Sequence, residues 1–151
     1  MSSQITLRPA SRADAQALTD IHNAARKTAM PWLAVVHTPE ETLFWMSQVV
    51  LPRLNVCVAE RDGHVAGFVA LQEDFVELLY VDPADWRTGI GSILLDQAKQ
   101  RCHGGFRLWT FQRNTIARSF YRKHGLVDLR ETDGSANEER EPDVLMEWRP
   151  I

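Results

Sequence analysis

The stretch that decides the fold spans residues 75–100 and reads F-V-E-L-L-Y-V-D-P-A-D-W-R-T-G-I-G-S-I-L-L-D-Q-A-K-Q. It begins as an apolar strand, turns at a proline and continues, after two glycines, as an amphipathic helix. The first N–H groups of a helix have no partner, and the helix dipole adds about half a positive charge there. A strand, a glycine-bearing loop and a helix N-terminus together form an anion site, which we expect to hold a pyrophosphate.

Length and composition predict one domain over residues 1–151. The hydrophobic content of 44% and the charged content of 25% are ordinary for a globular protein. The N-terminal residues lack the apolar centre of a signal peptide, and no apolar run approaches the roughly 20 residues that a membrane helix needs. Cys57 and Cys102 lie far apart in apolar contexts. We therefore expect a cytoplasmic protein with buried thiols, no disulfide, no metal site and no membrane contact.

The charge of the chain is concentrated in one segment. Residues 131–143, called the acidic segment below, carry six acids and one arginine, a local sum of −5, while the rest of the chain sums to +2. A near-neutral body argues against nucleic-acid binding, which needs a basic face. The acidic segment is either an ordinary solvated loop or the neighbour of a cationic partner.

The spacing of apolar and turn-forming residues predicts the element order β-α-α-β-β-β-α-β-α-β-β. Thr38-Pro39-Glu40-Glu41 is typical of a helix start, and Asp62-Gly63 is typical of a tight hairpin turn. The expected strands cover residues 5–8, 56–60, 65–71, 75–81, 106–111, 126–130 and 144–148. The expected apolar helix faces contain Ala17, Leu18, Ile21, Ala24 and Ala25 in the first helix, and Leu43, Phe44, Met46 and Val50 in the second.

Two segments carry a resemblance to a known family. Residues 81–95 read V-D-P-A-D-W-R-T-G-I-G-S-I-L-L, and residues 111–126 read F-Q-R-N-T-I-A-R-S-F-Y-R-K-H-G-L. The first resembles the acetyl-CoA pyrophosphate loop of the GCN5-related N-acetyltransferase superfamily. The second matches that family's Asn-x-x-Ala-x-x-Phe-Tyr-x-x-x-Gly-Phe pattern at Asn114, Ala117, Phe120, Tyr121 and Gly125. With the element order, the resemblance covers nearly the whole chain.

The resemblance implies a fold and an activity. The fold would be α/β (mixed α+β), with a mostly antiparallel sheet of six to seven strands, helices on both faces, and a splay between the strands at 75–82 and 106–111. The whole chain would be one acetyltransferase domain. It would transfer the acetyl group of acetyl-CoA to a primary amine by direct attack in a ternary complex. We expect a small-molecule amine as acceptor, with a protein or peptide acceptor and a non-catalytic acyl-CoA-binding sensor as alternatives.

The resemblance also implies which residues bind the cosubstrate. The strand residues Leu79, Tyr80 and Val81 would pair with the pantetheine arm, with the N–H of Tyr80 or Leu79 polarising the thioester carbonyl. The pyrophosphate would lie on the loop residues Arg87, Thr88, Gly89, Ile90, Gly91 and Ser92, and the second segment would add Asn114, Ala117 and Tyr121. Trp86 occupies the family's usual Gln or Arg position. We expect Arg87 to contact phosphate instead, or the loop to rely on its N–H groups alone, with Trp86 beside the cofactor or over the loop.

Two catalytic roles are expected. An alkylammonium group has a pKa of about 10.4 and must lose a proton before it attacks, so a general base is needed. Glu77 is the candidate base, because the family often uses a Glu on this strand; His22, His37 and Glu73 are weaker alternatives. Tyr121 occupies the family's position for a hydrogen bond to the departing thiolate.

The acceptor pocket of this family lies between the first two helices, the loop that joins them and the final hairpin. Here those regions contain Met30, Trp32, Leu33, His37, Phe44, Trp45 and the acidic segment. We expect Trp32, His37 and Glu77 to contact the acceptor, since aromatic and acidic groups suit a cation with an apolar body. The tryptophans could equally be core or dimer contacts, which leaves a homodimer open. The run from Thr132 to Asp143 is too long for a tight hairpin and could order only on dimerisation or substrate binding.

Overall fold

One twisted sheet organises the chain, and the computed structural model describes residues 4–151 of it. The strands of this part of the chain are β1 (Ile5–Pro9), β2 (Asn55–Arg61), β3 (His64–Gln72), β4 (Phe75–Val81), β5 (Phe106–Phe111), β6 (Val127–Thr132) and β7 (Asp143–Trp148). Their order in the sheet is β1-β2-β3-β4-β5-β7-β6. Neighbouring strands are antiparallel except β4 and β5, which are parallel. This is the predicted mixed, mostly antiparallel sheet.

Helices cover both faces of the sheet, as predicted. They are α1 (Ala15–Ala29), α2 (Pro39–Trp45), α3 (Ile90–Arg101) and α4 (Thr115–Lys123), and α2 continues through a π-helical turn (Met46–Val50) and a last turn (Leu51–Arg53). Leu18, Met46 and Phe68 belong to the buried cluster under α1 and α2. The larger cluster on the other face contains Leu94 and Tyr121, from α3 and α4. The site described below lies where these two layers meet the middle of the sheet.

The predicted start of α2 and the predicted β2–β3 turn are both present. Thr38 Oγ1 accepts a hydrogen bond from Glu41 N over 3.1 Å, and Glu41 Oε1 accepts one from Thr38 N over 2.9 Å. This reciprocal pair is a capping box. At the β2–β3 turn, Asp62 and Gly63 have φ values of 52° and 86°. Two left-handed central residues are the signature of the tightest hairpin turn.

The sheet is split between β4 and β5. Within the described residues these strands share one register pair, Phe75 with Arg107, and then diverge. On its other side β4 pairs with β3 through a shift: Leu78 lies opposite Ala70, whereas Val76 lies opposite Leu71. The extra residue is Glu77, which makes it the bulged residue of β4. Since bulges bend a strand and increase its twist, this one directs the end of β4 away from β5.

Three local predictions were wrong. Ala24 was predicted on the inward face of α1 but is exposed. That face contains Thr19 together with the predicted Leu18, Ile21 and Ala25. The Thr19 hydroxyl can be buried since it donates to Ala15 O over 2.8 Å. Phe44 is 68% exposed, and the expected continuous second helix contains a π-helical turn. The inward positions around that turn are Thr42, Met46 and Val50.

The two cysteines behave as predicted, since Cys57 and Cys102 are both buried free thiols. Burial raises the pKa of both thiols, which keeps them protonated and unreactive. None of the helices formed by residues 4–151 has the length and apolarity that a membrane crossing requires.

Candidate active site

The loop between β4 and α3 presents free N–H groups at a helix N-terminus. Gly89 precedes the helix with a φ of 90°, a left-handed conformation that glycine adopts without strain. Ile93 N donates to Gly89 O over 3.1 Å, which is the first hydrogen bond of the helix. The N–H groups of Ile90, Gly91 and Ser92 therefore have no intrahelical partner. Together with the helix dipole they can bind an anion, as predicted for the pyrophosphate.

The Trp86 side chain folds back onto the end of β4. Its indole Nε1 donates to the carbonyl oxygen of Val81, at the end of β4, over 2.9 Å. The neighbouring Arg87 is exposed and has a φ of 64°, which is left-handed for a residue with a side chain. The Trp86 indole therefore lies against the end of β4. The exposed Arg87 guanidinium remains the candidate for a side-chain contact to phosphate.

The open edge of β4 lies beside the loop. Asp82 N donates to Ala66 O of β3 over 2.8 Å, and Tyr80 is two residues earlier on the same side of the strand. Because N–H directions alternate along a strand, the Tyr80 N–H also points toward β3, whereas those of Leu79 and Val81 point into the gap toward β5. The prediction of Tyr80 or Leu79 as the carbonyl-polarising donor is thereby narrowed to Leu79.

Tyr121 lies on α4 next to the loop. It is 8% exposed, and burial raises the pKa of its phenol well above the usual value. The next ring, Phe120, packs 5.5 Å from Tyr121 and so close to the loop that a Cβ on Gly91 would lie 3.2 Å from Phe120 Cζ. The phenol therefore stays protonated at physiological pH and can donate a hydrogen bond to a leaving sulfur.

The start of α4 and the start of α3 are each fixed by a polar contact. Asn114 is buried and its Oδ1 accepts from Ala117 N over 3.2 Å, so it is the N-cap of α4. Ser92 Oγ lies 3.1 Å from Nε2 of His124, at the end of α4. These contacts bring the predicted cosubstrate residues of the two sequence segments to one place, around the gap between β4 and β5.

Glu77, the bulged residue of β4, is the predicted base. Its residue surface is exposed, yet partial burial of the carboxyl raises the pKa of Glu77 above its ordinary value. A raised pKa makes a carboxylate a stronger base. The alternative His22 is less suitable, because burial lowers its pKa to about 4. Of the other two alternatives, Glu73 lies in the β3–β4 turn with a φ of 53° and is exposed, and His37 lies 2.7 Å from Glu138.

The acidic segment is tied to the α1–α2 side of the protein by ion pairs. Glu138 Oε2 lies 2.7 Å from His37 Nε2, and Glu139 Oε2 lies 3.0 Å from Arg26 Nη2. Inside the segment, the side-chain amide of Asn137 donates to Glu141 O over 2.8 Å. Within one chain the segment is thus held by side-chain contacts to α1, to the loop before α2 and to itself.

Trp32 contacts this segment through an arginine. The Arg113 guanidinium lies 3.9 Å from the Trp32 ring centroid and donates two hydrogen bonds of 2.8 Å to Glu141. Among the other predicted pocket residues, Met30 is 5% exposed and Leu33 is partly buried. Trp45 is 37% exposed. Trp32 and His37 are therefore brought to the acidic segment, as the predicted pocket requires.

Arg26 links β4 to the acceptor side, by which we mean residues 30–45 together with the acidic segment. Sequence reasoning missed this residue. Its Nη1 donates to the Tyr80 hydroxyl over 3.2 Å, and its Nη2 binds Glu139. The His22 ring lies 4.9 Å from the Tyr80 ring in an edge-to-face arrangement. His22 and Arg26 are four residues apart, so both lie on one face of α1. This spacing was the sequence signal that could have marked Arg26. Asp85, buried in the loop before α3, was also missed, and no sequence pattern marked it.

Comparisons with known proteins agree with this geometry. The sequence model of the acetyltransferase (GNAT) domain family matches residues 52–127, half of the chain. The peptidyl-lysine N-acetyltransferase YiaC of Escherichia coli (strain K12) is 35% identical over 94 residues, which are 60% of this chain and 61% of that protein. The match thus spans less than two thirds of that relative's length.

Two solved structures have the same fold. The apo form of YjaB from Escherichia coli superposes with a TM-score of 0.81 at 18% identity, over 96% of this chain and 97% of that one. The PaiA N-acetyltransferase from Thermoplasma acidophilum, solved in complex with coenzyme A, gives a TM-score of 0.75 at 22% identity, over 97% and 99%. The predicted fold and family are confirmed, and acetyl transfer from acetyl-CoA is the activity of that family. The chain belongs to the GNAT acetyltransferase family.

Proposed function

We propose that the chain works as one acetyltransferase domain that transfers the acetyl group of acetyl-CoA to a primary amine by direct attack in a ternary complex. The observation that carries this proposal is the gap between β4 and β5, which opens at the bulged Glu77 beside the free N–H groups of the loop. The gap leaves backbone donors of β4 open to an amide-rich pantetheine arm, and the loop supplies the anion site for the pyrophosphate.

The chemistry of the gap assigns a role to each proposed residue. The Leu79 N–H polarises the thioester carbonyl and stabilises the oxyanion. Glu77 accepts the ammonium proton, directly or through water, and the freed amine attacks the thioester carbon. Tyr121 then donates a hydrogen bond to the departing CoA sulfur, and the proton of the product nitrogen neutralises the thiolate. Since an unperturbed phenol is a weaker acid than a thiol, hydrogen bonding by Tyr121 is favoured over full proton transfer.

For the acceptor, the ε-amine of a peptidyl lysine is the leading candidate. The relative YiaC is named as a peptidyl-lysine N-acetyltransferase. The acceptor side also exposes apolar surface, with Val35 at 89%, Val36 at 46% and Phe44 at 68% exposed, beyond what a small ligand covers. Such a surface suits a polypeptide around the lysine. The acids that face it are already paired with Arg26, His37 and Arg113, which weakens the case for a free polycation.

A small-molecule amine is the second candidate, and one observation favours it. The acidic segment brings aromatic and acidic groups together through two contacts, that of Arg113 with Trp32 and Glu141 and that of His37 with Glu138. A small aryl-alkyl amine would require such a combination. Competition by the acceptor ammonium for these carboxylates would open the pocket.

An amine panel tests the function and separates the two acceptors. Release of free thiol from acetyl-CoA is measured with an N-terminally blocked lysine peptide, the same peptide with arginine in place of lysine, a polyamine and an aryl-alkyl amine. We expect release with the lysine peptide and not with its arginine version. Release with the small amines alone would make the second candidate correct. Calorimetric binding of CoA without release from any amine would instead indicate an acyl-CoA-binding sensor.

A further inference from the structure

Asp85 is a carboxylate buried in the turn before α3, with 3% of the residue exposed. Burying a carboxylate is costly unless it is paired and hydrogen-bonded. Its Oδ1 accepts from Arg61 Nη1 over 2.8 Å, and its Oδ2 lies 3.3 Å from His64 Nε2. Arg61 ends β2 and His64 begins β3, so a single carboxylate joins the tip of this hairpin to the loop.

The main chain of Asp85 is held as well. Its N donates to Asp82 O over 2.8 Å, and its O accepts from Thr88 Oγ1 over 2.6 Å. Asp85 thus connects the end of β4 to the residue before Gly89. Between these contacts lies Arg87, whose left-handed backbone persists only where the surrounding structure imposes it. The loop shape therefore depends on contacts that converge on Asp85.

We propose that Asp85 and Arg61 form a positioning pair that holds the loop in the conformation that binds the CoA pyrophosphate. This inference rests on the proposed function, since it takes the loop as the pyrophosphate site. The charges of the pair suit this role. Arg61 neutralises Asp85, whose unpaired carboxylate would otherwise repel the anion bound at the neighbouring N–H groups.

The contributions of Arg61 and Asp85 can be separated with two single variants and their double variant. Arg61→Gln removes the guanidinium and leaves His64 as the remaining side-chain partner of Asp85 beside the anion site, so CoA affinity should fall about tenfold, which corresponds to about 1.4 kcal/mol. Asp85→Asn keeps the side-chain shape and removes the charge, and affinity should fall only about threefold. The double variant Arg61→Gln/Asp85→Asn should bind CoA more tightly than Arg61→Gln alone, because the Asp85 charge is gone.

The chain offers a matched control at the start of α1. Asp14 is also buried, at 7% exposed, and pairs with Arg8 over 2.8 Å. Asp14→Asn therefore breaks a comparable buried pair away from the loop. It should lower the thermal stability of the protein without changing CoA affinity. Arg61→Lys serves as the conservative variant and should recover most of the affinity that Arg61→Gln loses.

The experiment is calorimetric titration of CoA into each folded variant, with KM for acetyl-CoA and kcat measured beside it. We expect a loss of CoA affinity and a raised KM in Arg61→Gln and Asp85→Asn, with little change in kcat. CoA affinities equal to that of wild type, or a double variant weaker than Arg61→Gln, would overturn the inference. A wild-type protein that binds no CoA would instead overturn the proposed function. The two failures are thus distinguishable.

Discussion

The two sides of the gap between β4 and β5 are built by different physics. On the donor side, residues 82–92 are shaped by main-chain hydrogen bonds, a buried carboxylate and two left-handed residues. On the acceptor side, ion pairs join the acidic segment to α1 and to the loop before α2: the side chains of His37 and Glu138 are 50% and 65% exposed, whereas those of Arg26 and Glu139 are 24% and 16% exposed. A backbone-built site has one shape, whereas a site closed by exposed ion pairs depends on charge and pH.

Exposed and buried ion pairs differ enough in the free energy they contribute to matter for function. Exposed ion pairs contribute about 0–1 kcal/mol each, so the acceptor side can rearrange around a substrate at little cost. Breaking a buried pair such as Asp85 with Arg61 costs about 3–5 kcal/mol, so the donor side does not rearrange. We therefore expect donor-side variants to change acetyl-CoA kinetics at every pH, and acceptor-side variants to change amine kinetics in a pH-dependent way.

The largest effect is expected for Tyr121→Phe, which removes the proposed hydrogen bond to the departing sulfur. Because burial keeps the pKa of this phenol high, the donor is present throughout the physiological range. Turnover should fall about 100-fold, the scale of a lost general-acid contact, with KM for acetyl-CoA nearly unchanged. Steady-state thiol release measures both quantities.

Tyr80→Phe is the matched control for that change. It also removes a phenol at the gap, but one that accepts from Arg26 on the acceptor side. It should raise KM for the amine and leave kcat almost intact. Equal losses of kcat in the two variants would contradict a specific role for Tyr121.

Glu77→Gln should have the next largest effect, about tenfold in kcat/KM for the amine at neutral pH. The pKa of Glu77 is raised, so the carboxylate loses its function as a base when the pH falls through that value. The wild-type pH profile should show this acid limb, and the variant should lack it. Glu73→Gln, in the adjacent turn, should keep the wild-type profile. A wild-type acid limb in Glu77→Gln would remove Glu77 from the mechanism.

Arg87→Gly tests whether the loop uses a side chain in addition to its backbone. The variant should raise KM for acetyl-CoA about fivefold through loss of a phosphate contact. Its left-handed φ of 64° suits glycine, so the free energy of unfolding should rise by about 0.5–1 kcal/mol. Thermal melts and acetyl-CoA titrations measure the two effects separately.

Arg140→Gly is the control that separates the effect on stability from the effect on acetyl-CoA binding. Arg140 is the other arginine with a positive φ, 54°, and it lies on the acceptor side. It should gain similar stability and leave KM for acetyl-CoA unchanged. An unchanged KM in Arg87→Gly would mean that the pyrophosphate binds to N–H groups alone.

The smallest effect is expected for Glu138→Gln. The hydrogen bond from Glu138 raises the pKa of His37 in the folded protein. The attraction is therefore fully present below the ordinary His value of about 6.5 and is lost as pH rises through the raised pKa. The ratio of variant to wild-type KM for the amine should be about two at pH 6 and about one at pH 9. Glu139→Gln, whose partner Arg26 stays charged, should give a ratio that is the same at both pH values.

The sequence predicted tight turns and helix starts well because their signals are local. Gly89 and the Asp62-Gly63 turn mark backbone conformations that few other residues allow, and Thr38 with Glu41 marks a helix start. The order of elements along the chain followed from the same signals, since short turns join neighbouring strands and a helix permits the parallel step from β4 to β5. The roles of Glu77 and Tyr121 depended on the resemblance, and they remain proposals.

The acceptor side could not be predicted in the same way. Arg26 and Glu139 are separated by 113 positions, and the sequence around neither residue indicates that the two pair. The acidic segment looked like free negative charge, because a count of acids does not include cations that folding brings to them. The exposure of Phe44 depends on the π-helical turn after Trp45, a local change of helix geometry that apolar spacing does not register.

The single residue pair between β4 and β5 has a consequence for the behaviour of the free protein. Beyond that pair, both strands present short edges to the gap, as if the sheet lacked a strand between them. Deuterium exchange at Leu79 and Val81 should be fast in the free protein and slow once pantetheine lies along β4. Open edges also invite pairing between molecules, so we expect bound coenzyme to slow aggregation of the protein.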